Sequence, residues 1–178
     1  MKANVKFAKV RPDAIIPSKR PEDMGFDIYA CFDEDYIEIA PCETKLIPTG
    51  IASSCDPEYG FLLRERGSTG SKGIALRCGV IDSGYRNEWF ICLTNTTDLL
   101  VAISKVDKME TAKLMCEGDF LLTEDCVDES LIVYPYSKAI AQALVIPVPE
   151  VEVEELSYED LQAIPSERGL GKLGSSNK

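Results

Sequence analysis

The chain contains no histidine. That excludes Ser-His-Asp and Cys-His nucleophile systems, most catalytic zinc sites and every imidazole base. Proton transfer near neutral pH then falls to a carboxylate as the leading base. There is no CxxC pair either. The seven cysteines, at Cys31, Cys42, Cys55, Cys78, Cys92, Cys116 and Cys126, are odd in number and scattered. A chain of 178 residues does not need disulfide staples, so reduced thiols in a cytoplasmic protein are the expectation. No apolar run approaches the roughly 20 residues of a membrane span. Residues 1–17 lack the apolar block of a signal peptide. Positive charge is scarce, with 19 Lys and Arg against 30 Asp and Glu, a net charge of -11. Direct nucleic-acid binding is therefore not expected, since it rests on neutralising phosphates. A small anion stays compatible if a few arginines or a divalent cation concentrate positive charge locally.

What is present is a succession of short β-branched, aromatic and aliphatic segments. They fall at residues 5–10, 26–30, 36–39, 45–48, 60–64, 80–82, 89–95, 99–106, 131–134 and 139–147. Ten prolines and twelve glycines punctuate them. Many close-spaced strands with few helical periods predict an all-β fold, a jelly roll or β-barrel. One short helix is predicted at residues 157–163, with Ser157 as N-cap and Asp160 three residues on. Another turn is placed in residues 109–117. Residues 150–155 (EVEVEE) alternate acidic and apolar side chains, as an edge strand with one charged face does. Residues 166–178 are Gly/Ser-rich and carry too little apolar surface to pack, so they read as a mobile arm.

Three glycine-bearing segments carry chemistry. In residues 64–73 (RERGSTGSKG), glycines let backbone N–H groups approach an anion, hydroxyls add donors, and Arg66 and Lys72 supply charge. The GxxxxGK[ST] spacing of a P-loop is missing, which removes the ATPase reading. In residues 78–88 (CGVIDSGYRNE), an apolar run enters a tight Asp-Ser-Gly turn. There Asp82 either caps the turn or offers a carboxylate at a pocket mouth, and Tyr85 either closes the core or lines that pocket. The third segment is the arm, where Arg168, Lys172 and three serines sit among glycines.

Taken together and in order, these segments resemble the five motifs of the homotrimeric dUTP pyrophosphatases (dUTPases). Met24-Gly25-Phe26-Asp27-Ile28-Tyr29-Ala30 is similar to A-G-x-D-L-x-A, and Glu65 to Gly70 to P-R-S-G-x-x. Gly79 to Asn87 matches G-V-I-D-x-x-Y-x-G most closely. Ala139-Ile140-Ala141-Gln142 falls on R-I-A-Q, and Arg168 to Asn177 on R-G-x-G-G-F-G-S-T-G. Four departures from the pattern bear on the chemistry. Gly67 stands for the phosphate-binding serine, Ala139 for an arginine, Asn87 for a glycine and Leu173 for the base-capping phenylalanine. Ser68 or backbone amides are then left to serve at the second motif. The long interval from Asp82 to Gln142 marks an insertion at about 104–130 that no motif uses.

The resemblance implies a dUTPase-type, β-clip-like core over residues 1–149, a linker with edge strand and helix over 150–165, and the arm over 166–178. It implies Mg²⁺-dependent hydrolysis of dUTP to dUMP and pyrophosphate, which limits uracil in DNA and supplies dUMP. Asp82 is the implied base for the water that attacks the α-phosphorus. Tyr85 lies against the deoxyribose and excludes a 2′-hydroxyl, while backbone around Gly79 and Ile81 pairs with uracil. Arg66, Gly67, Ser68, Thr69 and Gln142 take phosphate or water. Arg168, Gly171, Leu173, Ser175 and Ser176 close over the substrate. Asp27 holds Mg²⁺ through water, and the site is shared among protomers of a homotrimer. Two alternatives stand beside this. A dCTP deaminase has a similar motif order, but its catalytic glutamate falls on Cys92. A nucleotide-sensing regulatory protein with a protein partner and little turnover would account for the insertion.

Overall fold

The recurring apolar segments become strands wherever a partner lies alongside to take their backbone hydrogen bonds. The computed structural model describes residues 2–116, 123–167 and 169. It divides into two units, Met1–Val148 and Pro149–Lys178. The first unit holds strands β1 (Val5–Lys9), β2 (Phe26–Ile28), β3 (Tyr36–Ile39), β4 (Thr44–Pro48), β5 (Ile51–Cys55) and β6 (Tyr59–Arg64). It continues with β7 (Ile74–Arg77), β8 (Val80–Ile81), β9 (Phe90–Asn95), β10 (Leu100–Ser104), β11 (Leu131–Pro135) and β12 (Ala141–Pro147). Helices α1 (Gly67–Gly70), α2 (Lys108–Met115) and α3 (Glu124–Ser130) lie between strands. The sheets run β1-β5, β11-β10-β3, β2-β12-β6-β8 and β4-β9-β7. The predicted all-β class holds, with open sheets of the jelly-roll kind; among the described residues no sheet closes into a barrel.

Strand β12 positions the site. It runs antiparallel between β2 and β6, with Gln142 opposite both Asp27 and Arg64. Side chains alternate across a strand, so one face of β12 buries Ala141 and Ala143 against Ile28 and Leu63 while Gln142 faces the other way. The same core holds the rings of Phe61 and Trp89, with Phe7 and Phe26 packed against it. Phe61 and Trp89 meet edge to face at 4.9 Å, a geometry worth about 0.5–1.5 kcal/mol beyond buried area.

The predicted insertion is a crossover. β10 and β11 are parallel, Leu100 opposite Leu131 and Ser104 opposite Pro135, and parallel neighbours cannot be joined by a hairpin. Helices α2 and α3 belong to that connection. Asp107 caps α2 by accepting from the Glu110 amide, and Thr123 caps α3 by accepting from the Cys126 amide. Ala112 and Val127 bury against Ala102 and Leu131 in a second, smaller core.

In the second unit, helix α4 (Tyr158–Ala163) begins where predicted, with the Ser157 hydroxyl accepting from the Asp160 amide. Other elements differ from the sequence expectation. Three further helices accompany the foreseen α4, and α2 occupies the turn placed at 109–117. Strands β5 and β7 were not foreseen. β5 (IASSC) buries Ser53 between Ile51 and Cys55, so a polar residue interrupts its apolar face. Residues 150–155 form no strand: their alternation meets no ladder partner, and every one is exposed.

Candidate active site

Two adjoining cavities, of about 720 and 560 Å³, share Asp27, Arg66 and Gln142 on their walls. Arg66 follows the end of β6 and turns its guanidinium onto Asp27, Nε to Oδ1 at 3.1 Å and Nη2 to Oδ2 at 3.4 Å. Both side chains are about one-third exposed, so the pair contributes about 1 kcal/mol or less and acts mainly to aim the two groups. The Gln142 amide donates to the Glu65 carbonyl at 2.9 Å, tying β12 to the start of the glycine loop. Around the larger cavity the 18–25 loop uses its cations internally. Arg20 pairs with Asp23, and Lys19 donates to the Arg20 and Asp23 carbonyls.

The glycine loop folds into the single turn of α1. Thr69 is buried and closes that turn, accepting from the Arg66 amide and donating to the Arg66 carbonyl. Gly67 and Ser68 line the smaller cavity. The buried Tyr134 hydroxyl donates to the Ala139 carbonyl at 2.7 Å and also meets Ser68 Oγ at 2.9 Å. A phenol has one proton, and the carbonyl takes it. Ser68 is therefore the donor to Tyr134, and its proton is committed inside the loop.

The Gly79–Tyr85 segment is a second construction. β8 pairs with β6, Ile81 opposite Phe61, and a turn closes with the Tyr85 amide on the Asp82 carbonyl. Gly79 passes so close to β6 that an added Cβ would lie 2.8 Å from the Leu63 carbonyl oxygen. Only glycine allows that approach. Asp82 and Tyr85 are exposed, so Tyr85 does not close the core. Its hydroxyl donates to the Glu88 carbonyl, and Arg86 staples the turn to the Ser53 and Tyr85 carbonyls.

Asp27, Arg66, Gly67, Ser68 and Gln142 thus share one cavity wall, with Thr69 packed beneath. Gly79, Ile81, Asp82 and Tyr85 stand apart from them. Ile81, the residue before Asp82, pairs with Phe61, which is five residues from Arg66, about 17 Å of extended chain. Arg168, Gly171, Leu173, Ser175 and Ser176, like the middle of the α2–α3 connection, lie outside the described residues. Sequence reasoning missed Tyr134 and Lys138. The available signal was a lysine one position before the departure at Ala139. Among the described residues no three carboxylates or thiols cluster as a metal cage. Asp27, the carboxylate common to both cavities, fits an ion carried on phosphate oxygens and reached through water.

The sequence profile described as dUTPase matches residues 11–121, more than half of the chain. The chain belongs to the dUTPase family. The deoxyuridine 5′-triphosphate nucleotidohydrolase of Nautilia profundicola is 32% identical over 181 residues, covering 98% of this chain and 99% of that one. That of Paraburkholderia xenovorans is 28% identical over 183 residues, covering 100% and 99%. Among solved structures, a dUTPase of Staphylococcus bacteriophage 80alpha bound to dUpNHpp superposes with a TM-score of 0.68 at 22% identity, over 97% and 98% of the two chains. The Staphylococcus aureus phage phi11 dUTPase, which carries a species-specific insert, gives 0.62 at 18% identity over 86% and 96%. Membership also bears on the deaminase alternative. Cys92 is buried on β9, and burial, with Cys78 beside it, pushes its thiol up. A neutral thiol does not replace an acid–base carboxylate.

Proposed function

We propose that this chain hydrolyses dUTP to dUMP and pyrophosphate, with the phosphates held on the Arg66–Gln142 wall and the attacking water on Asp82. The observation that carries the reading is the arrangement itself. In a dUTPase-family chain without histidine, the carboxylate of the GVID turn is exposed and unpaired among the described residues, while the glycine loop and Asp27 line an open cavity.

Asp82 orients the water in line with the α-phosphorus and takes its proton as the new P–O bond forms. The bond from the α-phosphorus to the bridging oxygen breaks, and pyrophosphate leaves with that electron pair. Tyr85 packs against C2′ of the sugar, where a ribose hydroxyl would clash. The Gly79–Ile81 backbone offers its polar groups to uracil. Arg66 and amides of the glycine loop take phosphate oxygens. Mg²⁺, bound by the phosphates and reached from Asp27 through water, would neutralise charge on the triphosphate.

One substrate cannot span the two half-sites of a single protomer in the way this chemistry needs. Phe61, the partner of Ile81, stands about 17 Å of extended chain before Arg66, whereas the α-phosphorus adjoins the rest of the phosphate chain. That separation supports a homotrimer in which one protomer supplies Asp82 and its neighbour the phosphate wall. A cytoplasmic location accords with seven free cysteines. No helix among the described residues is long and apolar enough to cross a membrane.

The test is pyrophosphate release from dUTP with Mg²⁺, with and without EDTA, for the parent and for Asp82→Asn. Release by the parent that stops with EDTA is expected, together with a loss of about two to four orders of magnitude in the variant at retained dUTP binding. A parent that is inert towards dUTP, or a variant within a few fold of the parent, overturns the reading.

A further inference from the structure

We infer that Lys138 is a phosphate-binding residue of this chain, carrying at position 138 the positive charge that the fourth motif otherwise has at position 139. The inference rests on the dUTP reading above and adds a residue that no motif marks. Position 139 carries no charge here, although Ala139 lines the smaller cavity. Ala139 is 2% exposed, and its carbonyl accepts from both Tyr134 Oη and Arg66 Nη1. Lys138, one residue earlier, is exposed and lines the same cavity as Asp27, Arg66 and Ser68.

The backbone presents Lys138 firmly. Its amide closes a turn onto the Pro135 carbonyl at 3.0 Å. Before it, the Tyr136 amide bonds the Ser104 carbonyl, and the Tyr136 ring meets Phe32 edge to face at 4.9 Å. After it, the Ile140 amide bonds the Ile28 carbonyl at 2.8 Å. A cation held between two anchored residues loses less freedom on binding than one on a loose loop.

The other cations lining these cavities already have partners within the protein. Arg66 is paired with Asp27, Arg20 with Asp23, and Lys19 with two carbonyls. The Ser68 proton goes to Tyr134, so its hydroxyl offers phosphate only lone pairs. Among the described residues Lys138 forms no ion pair. A triphosphate therefore meets in Lys138 an ammonium whose donors are all available.

Three proteins test this: the parent, Lys138→Gln and Lys138→Arg. Each is assayed for dUTP turnover and for binding of inorganic tripolyphosphate by calorimetry, after thermal melts have matched the three. Lys138→Gln should raise KM for dUTP and weaken tripolyphosphate by about tenfold, the scale of one charge-assisted contact. Its kcat should stay within about threefold of the parent, and the loss should shrink as salt rises. Lys138→Arg should return both readouts to within about twofold. Unchanged tripolyphosphate affinity in Lys138→Gln, or equal losses in the Gln and Arg variants, overturns the assignment. If the parent binds tripolyphosphate through Lys138 yet leaves dUTP intact, the functional reading falls and the assignment of Lys138 as a phosphate ligand stands.

Discussion

Glu65 precedes Arg66 and anchors the glycine loop from below. Its carboxylate accepts from its own amide and from the Leu76 amide, at 3.1 Å for the latter, and these bonds hold it below the ordinary value of 4.5. A depressed carboxylate adds stability that is complete above its unfolded value and is lost as pH falls through its folded one. Glu65→Gln should therefore melt lower than the parent at neutral pH by about 2–4 °C, the equivalent of about 1 kcal/mol. The gap should begin to close below about pH 4.5 and vanish once the parent carboxyl is protonated. A gap that is constant from pH 7 to 3 would show that the charge contributes nothing. Tyr85 acts on specificity rather than stability. Tyr85→Ala should narrow the dUTP over UTP ratio of kcat/KM by at least about tenfold, read from competing substrates. At this scale Asp27, Arg66 and Gln142 were legible because their motifs carry them. Tyr134 and Lys138 were not, since a buried phenol that fixes a serine proton and a charge shifted by one position leave no pattern along the chain.

The close approach of Gly79 to β6 yields a prediction at the level of the strand. Gly79→Ala must move β8 off β6, because the obstacle 2.8 Å from the new Cβ is a backbone oxygen. Overpacking of this kind costs about 1–3 kcal/mol and should raise KM through the displaced turn. Melting curves and steady-state kinetics read the two effects separately. The crossover gives a second prediction. Joining Ser104 to Leu131 by two residues requires the chain to run back about 13 Å, four strand steps, and to cross to the next strand, so this deletion should destroy β11 and with it the Tyr134 bond to Ala139. A twelve-residue Gly/Ser crossover should restore a soluble, folded chain. Ten strands showed in the sequence because their apolar runs are bounded by turns. β5 hid behind its serines, and α3 (EDCVDES) has a single buried apolar anchor, Val127. Residues 150–155 carried a strand's alternation without a strand's partner.

At the scale of the molecule, the separation of Asp82 from Arg66 makes complementation the informative experiment. Asp82→Asn and Arg66→Ala should each be inactive alone. Unfolded together at equal amounts and refolded, they should regain about one site in four, because a random neighbour pair then supplies both intact halves at that frequency. No recovery in mixtures shown by mass to be trimers of the 19.6 kDa chain would place the whole site within one protomer. The order of strands in β2-β12-β6-β8 also sets a clock. Asp27 reaches its place only when β2 pairs with β12, and Gln142 leaves the ribosome about 6 to 23 s after Asp27 at ~5–20 residues per second. For that interval the first-motif strand has an unpaired edge and an apolar face, and its neighbour is still unmade. Slower translation of the middle of the gene should therefore lower the soluble yield while leaving the melting temperature of the finished protein unchanged.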